Sequence, residues 1–174
     1  KKAKSNSPFF LYFPLPAPHT PILPTTEFLG KSNTNMYGDF VMQVDDVVRQ
    51  IRETLKKQGI SENTMLVFVS DNGCSPRANY EELAKVDHNP SYVFRGHKAD
   101  IFEGGHRVPF IVRWPAKFSG GKKINETICL TDIFETLVEL TGGVKLEGNA
   151  EDSYSFYPII TDEKESVNRP PVIH

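Results

Sequence analysis

What is scarce in this chain excludes several functions before any motif is considered. It holds two cysteines, Cys74 and Cys129, in different contexts and with no metal-ligand spacing. A disulfide between them stays open, although buried or incidental thiols are the simpler reading. Positive charge is not in excess: 20 Lys and Arg stand against 22 Asp and Glu, and Lys1, Lys2 and Lys4 do not change the balance. That balance leaves no footprint for nucleic acid or for an anionic membrane. No apolar run approaches the roughly 20 residues of a membrane span, and there is no signal peptide, internal repeat or low-complexity segment. The chain opens without methionine, and Val172 and Ile173 read as a strand just beginning. It is therefore expected to be cut from something longer, which makes the missing signal peptide uninformative.

What is present suffices for one ordinary domain, with 174 residues of which 39% are hydrophobic. The apolar run from Met65 to Val69 reads as a strand buried on both faces, because a half-solvated strand would alternate. Ser70, Asp71, Asn72 and Gly73 follow where such a strand leaves the sheet, the place where open α/β sheets bind ligands. Asp-Asn-Gly is equally a good turn, and taken alone the turn reading is favoured. Phe9 to Leu15 is a further strand candidate. The segment after it is stiffened by Pro16, Pro18, Pro21 and Pro24 and holds His19 on a backbone with few alternatives.

From Gly38 to Lys57 the spacing predicts an amphipathic helix packed on a sheet, with Phe40, Val41, Val44, Val47, Val48, Ile51 and Leu55 on its apolar face. Asp39 suits its first turn and Gly59 its stop. Asp45 and Asp46 diverge by about 100° on a helix and read as a solvated face rather than a metal pair. Cys74 to Glu103 is long and irregular, with a short helix expected at Tyr80 to Lys85 and a mixture of Tyr92, Phe94, Arg95, His97 and Lys98 that suits function more than a linker. A strand is expected at Val108 to Trp114, then a helix at Asp132 to Leu140 capped by Thr131, with Ile133, Phe134, Leu137 and Leu140 as its apolar stripe. The remainder is polar and turn-rich apart from Phe156 to Ile160.

Three polar groups stand in loops beside strands: His19, the Asp71–Asn72 pair and Lys98. A carboxylate with an amide oxygen suits a hard cation, Ca²⁺ or Mg²⁺. A cation, a lysine and a histidine on one point would bind a tetrahedral oxyanion and assist departure of an oxygen. Spacing alone does not prove that they converge.

The segments PFFLYFPLPAPHTP, YGDFVMQVDDVV, VFVSDNG and FRGHKADIFEGGHRVPFIVRWP, with the later LTDIFETLVELTGG and SFYPII, resemble in order and interval the middle of a type I, arylsulfatase A-like sulfatase of the alkaline phosphatase superfamily. The resemblance runs from Pro8 to His174 and implies an incomplete α/β fold, a mostly parallel sheet flanked by helices. It implies that Asp71 and Asn72 ligate the active-site Ca²⁺ or Mg²⁺, and that Lys98 and His19 contact the sulfate and assist the leaving oxygen. Arg95 and His97 flank the lysine and are candidate substrate contacts, while Glu103, Gly104 and Gly105 shape the turn presenting it.

Departures from the family pattern are equally informative. Its nucleophile is a formylglycine made from the Cys or Ser of a Cys/Ser-x-Pro-x-Arg motif, which is absent here and expected in a missing N-terminal part. Cys74-Ser75-Pro76-Arg77 has its arginine one residue too early and is a decoy. Residues 1–174 are thus expected to be a partial catalytic domain, lacking the nucleophile segment and the C-terminal subdomain and inactive alone. The rest of the chain, or an oligomeric partner, would complete the sheet. The expected substrate is a sulfated carbohydrate or aryl sulfate ester; a phosphate or phosphonate monoester hydrolase and a non-catalytic oxyanion-binding pseudoenzyme are the alternatives. Family habit points to an exported, bacterial enzyme; Asn125-Glu126-Thr127 fits a glycosylation sequon that chance also produces.

Overall fold

The computed structural model describes residues 7–172, so Ile173 and the basic Lys1, Lys2 and Lys4 lie outside the described residues. The chain divides into two compact units, Lys1–Val112 and Arg113–His174.

In the first unit, helix α1 covers Met36–Lys57. Asn35 sits extended before it, and its side-chain oxygen accepts from the amides of Tyr37 and Gly38, satisfying donors that the first turn leaves free. The helix therefore starts two residues earlier than Gly38. Of its apolar face only Val44 is buried, and Val41 is 40% exposed. Asp46 binds Arg49 and Gln50 along the exposed side, so the acidic pair is a solvated face.

Strand β1, Leu66–Val69, follows and is hydrogen-bonded to β2, Phe110–Arg113. Every residue of β1 is half-buried rather than buried on both faces, because among the described residues the sheet has only these two strands. Between them lie a 3₁₀ turn at Pro76–Ala78, helix α2 at Tyr80–Ala84 and the single-turn helix α3 at Glu103–His106. Asn79 adopts φ 61° and caps α2 by accepting from the amide of Glu82.

The expected strand at Phe9 to Leu15 does not form. The segment is irregular and open to solvent, with Phe10, Leu11 and Tyr12 at 71%, 67% and 77% exposure. A strand needs a hydrogen-bonding neighbour, and among the described residues no segment pairs with it.

The second unit is built on helix α4, Asp132–Leu140, and the short α5, Tyr157–Ile160. Thr131 stands at the cap position of α4 but in helical conformation and without a capping bond. The first-turn amides of Asp132, Ile133 and Phe134 donate instead to the carbonyls of Cys129, Leu130 and Thr131, and the amide of Glu135 donates to the hydroxyl of Ser153 (2.9 Å). The fully buried Asp132 ties the start of the helix to other segments: its carboxylate accepts from the amides of Cys129 (2.6 Å) and Tyr154 (2.9 Å) and pairs with Arg169. One turn later, buried Thr136 donates to the carbonyl of Asp132 (2.7 Å) and accepts from the amide of Phe156 (3.0 Å). The buried side of α4 is therefore this polar pair, and Phe134, expected in the core, is 48% exposed. Phe156, Ile159 and Ile160 provide the apolar core of the unit.

Candidate functional site

The polar end of β1 and the loop around Lys98 are joined through their backbones. The amide of Gly73 donates to the carbonyl of Gly105 (2.9 Å), and the amide of Lys98 donates to the carbonyl of Cys74 (2.9 Å). A third bond, from the amide of Gly104 to the carbonyl of Arg95 (2.8 Å), closes the Lys98 loop on itself. The approach is so close that only glycine fits. A Cβ on Gly73 would lie 1.8 Å from the carbonyl oxygen of Gly104, and one on Gly104 would lie 2.1 Å from that of Gly96. Sequence reasoning gave Gly104 and Gly105 a role in shaping this turn; it did not show that they carry the Asp71–Asn72 loop as well.

Within that frame Ser70 donates to the carbonyl of Asn72 (2.9 Å), and the amide nitrogen of Asn72 donates to the carbonyl of Gly73 (3.1 Å). With its nitrogen so engaged, the amide oxygen of Asn72 is left as an acceptor, and the neighbouring Asp71 is exposed. These are hard oxygen donors and fit Ca²⁺ or Mg²⁺, but two protein ligands fall short of a complete shell of six or more. Among the described residues no group of three or more His, Cys, Asp or Glu side chains converges as a metal site.

Lys98 is half-buried on a tight turn. The carboxylate of Asp100 accepts from the amide of His97 (3.0 Å), the amide of Asp100 returns a bond to the carbonyl of His97 (3.0 Å), and Nδ1 of His97 lies 3.0 Å from the carbonyl of Lys98. His97 is thus occupied in holding the turn. The guanidinium of Arg95 lies 3.7 Å over the ring of Phe102, an aromatic seat that fixes an exposed cation. His19 is exposed, and the side-chain hydrogen bonds found for it run to its neighbour Thr20. The structure therefore brings Asp71, Asn72, Arg95, His97 and Lys98 onto one stitched pair of loops; no hydrogen bond ties His19 to them.

Two residues to which sequence reasoning assigned no part in the site lie beside this region. Asp39, treated as a first-turn acid, is 3% exposed and accepts from the amide of Gly30 (2.7 Å) and from the amide and hydroxyl of Ser32 (2.9 and 2.7 Å). Burial pushes its pKa up, but the bonds from Ser32, Gly30 and Lys31 outweigh that and bring it below the usual carboxylate range. With Gln43, which accepts from the amide of Thr25 (2.9 Å), Asp39 anchors the segment after His19 to α1. The other residue is Cys74, half-buried beside the hydroxyls of Tyr37 and Tyr80. Burial raises its pKa, the reverse of what activates a thiol. Ser75 meanwhile caps the 3₁₀ turn by accepting from the amide of Arg77 (3.2 Å). The Cys-Ser-Pro-Arg run has a structural use of this kind.

The chain is similar to known proteins over most of its length. The Sulfatase family profile matches residues 1–144. Over 161 residues the chain is 37% identical to an N-acetylgalactosamine-6-O-sulfatase of Bacteroides thetaiotaomicron, an alignment covering 87% of this chain and 31% of that protein. An arylsulfatase of Hemicentrotus pulcherrimus is 35% identical, with 86% of this chain and 29% of the relative covered. Among solved structures, one from work on the metabolism of multiple glycosaminoglycans by Bacteroides thetaiotaomicron superposes with a TM-score of 0.84 at 34% identity, covering 92% of this chain and 34% of that one. Ps i-CgsB, solved in complex with k-i-k-neocarrahexaose, gives 0.77 at 30% identity, covering 94% and 36%. The fold is thus the alkaline phosphatase-like α/β fold of these neighbours. The chain belongs to the sulfatase family, and it spans about a third of the length of the relatives it matches.

Proposed function

We propose that this chain is the metal-binding and leaving-group part of an enzyme that hydrolyses sulfate monoesters on carbohydrates. The observation that carries the proposal is the backbone stitching of the Asp71–Asn72 loop to the Lys98 loop. That stitching joins the backbones that carry Asp71, Asn72 and Lys98, which supports a fixed relation among them of the kind that electrostatic stabilisation of a transition state demands. Asp71 and Asn72 are assigned to a Ca²⁺ or Mg²⁺ ion, which when bound would neutralise charge on the sulfate. Lys98 is assigned to a sulfate oxygen and to the departing alcohol oxygen, which needs a proton or a positive charge as the S–O bond breaks. His19 is assigned the same two tasks, and Arg95 a substrate contact supported by its exposure and its seat on Phe102. His97 is kept as a substrate contact through its exposed edge, its Nδ1 being turned to the loop backbone.

The remaining metal ligands, and the formylglycine that the family uses as nucleophile, are assigned to sequence outside these residues. Carbohydrate as the substrate is supported by the name of the N-acetylgalactosamine-6-O-sulfatase relative and by the neocarrahexaose-bound neighbour. Export from a bacterial cell is assigned on the habit of the family; among the described residues no helix is long and apolar enough to cross a membrane.

The test is to assay the full-length protein against a panel of sulfated saccharides, with Lys98→Ala and Asp71→Ala as variants. Each is expected to lose about a hundredfold or more in kcat. Full activity in both variants would overturn the assignment.

A further inference from the structure

We infer that Tyr80 is a positioning residue of the site, the side chain that sets the Asp71–Asn72 loop and the Lys98 loop in register. The inference rests on the site reading above and adds a residue to which that reading gives no part.

The hydroxyl of Tyr80 donates to the carbonyl of Cys74 at 3.3 Å. The same carbonyl accepts the amide of Lys98, so one oxygen, three residues after Asp71, receives a donor from each side. A phenol has a single proton, and with that proton on Cys74 the 2.9 Å contact to Ser91 is a bond donated by the serine hydroxyl. Ser91 is 8% exposed, and its own amide donates to the side chain of Asn89 (3.0 Å), so the donor is itself fixed. The ring of Tyr80 lies 5.9 Å from that of His97 in a tilted arrangement, touching the residue next to Lys98. One side chain thus bonds the end of the Asp71–Asn72 loop with its hydroxyl and packs on the Lys98 loop with its ring.

Tyr80 is also well anchored. It opens α2, whose cap Asn79 bonds the amide of Glu82, and the preceding Ala78 carbonyl accepts from the side chain of Asn35 (2.9 Å) at the start of α1. Burial pushes its phenol up to about 12, so it remains a neutral donor across the working range of such an enzyme. Helix α1 adds a second tyrosine, Tyr37, beside the thiol of Cys74. The phenol thus adds to the backbone bonds a side-chain link between the same two loops.

The test uses the full-length protein and Tyr80→Phe, which keeps the ring and removes the hydroxyl. A loop displaced by a fraction of an ångström is expected to lower kcat about tenfold with KM changed less than about twofold. Calcium affinity, read by titration calorimetry, should weaken a few-fold, while thermal melting stays within a few degrees of the parent. Ser91→Ala should reproduce the direction with a smaller loss, and Tyr80→Leu should exceed Tyr80→Phe because the ring contact goes too. Unchanged kcat and calcium affinity in Tyr80→Phe, with Lys98→Ala and Asp71→Ala inactive, would overturn the inference and leave the site reading standing. A loss of kcat matched by an equal loss of folded protein would overturn it as well. Full activity in Lys98→Ala and Asp71→Ala would instead strike the site reading itself.

Discussion

Two apolar segments of this chain start from similar sequences and end differently. Leu66–Val69 becomes a strand, and the loop beyond it is bonded through Gly73 and Cys74 to the loop of Lys98. Phe9 to Phe13, richer in aromatic residues and no less suited to a pleated surface, lies unpaired and exposed. The difference lies in available partners rather than in propensity. Leu66–Val69 has Phe110–Arg113 to bond, whereas the described residues offer nothing to Phe9–Phe13. Strand preference becomes a strand only where a neighbour supplies the other half of each hydrogen bond.

The contrast breaks most severely at Gly73. Gly73→Ala puts a methyl group 1.8 Å from a backbone oxygen, which no side-chain rotation relieves, so the loops must separate. A destabilisation of about 3 kcal/mol is expected, and activity of the full-length protein should fall below detection. Chemical denaturation together with the saccharide assay checks both parts. An active, stable Gly73→Ala would mean that the stitching does not hold the site.

How much of this was legible in the sequence depends on the kind of contact involved. The motif residues Asp71, Asn72 and Lys98 were legible because their order and intervals resemble a family. The glycines were legible as turn formers, but the backbone oxygen that Gly73 approaches, that of Gly104, lies about 30 positions away along the chain, and no local pattern reports it. Asp39 was legible only as an acid in a first turn, since its partners, the amides of Gly30 and Ser32, belong to a loop whose path the sequence does not specify. Thr131 was taken as a cap from its residue type, whereas the first-turn amides bond the carbonyls just before the helix and the hydroxyl of Ser153, a residue far along the chain that no local pattern reports. At Phe9–Leu15, composition predicted a strand and could not supply its neighbour.

A smaller effect sharpens the comparison at the segment leading from His19. Asp39→Ala removes a buried carboxylate that accepts from the amides of Gly30 and Ser32 and from the Ser32 hydroxyl, and should cost about 2 kcal/mol near neutrality. Because the folded carboxyl sits below its ordinary value of 3.8, the unfolded chain binds the proton more readily at low pH. The contribution is therefore whole above about pH 4 and is lost as pH falls through the lower, folded value. Denaturation of the parent and Asp39→Ala at pH 7 and at pH 3 should show the gap between them narrowing. A gap independent of pH would mean that packing, not the charged carboxylate, holds the loop.

The smallest effect belongs to the unpaired segment. In the 174-residue chain Phe10 is 71% exposed, so Phe10→Ser should alter stability by no more than about 0.5 kcal/mol. In the full-length protein the rest of the chain is expected to cover the segment, since aromatic residues in such a run are suited to a buried sheet. There the same substitution should cost several-fold more, about 3 kcal/mol, the usual penalty for removing a buried aromatic side chain. Measuring Phe10→Ser in both chains isolates the partner as the variable, because sequence and propensity are identical in the two. Equal costs would mean that nothing pairs with Phe9–Phe13 even in the longer protein, and the two segments would then differ by something other than a missing neighbour.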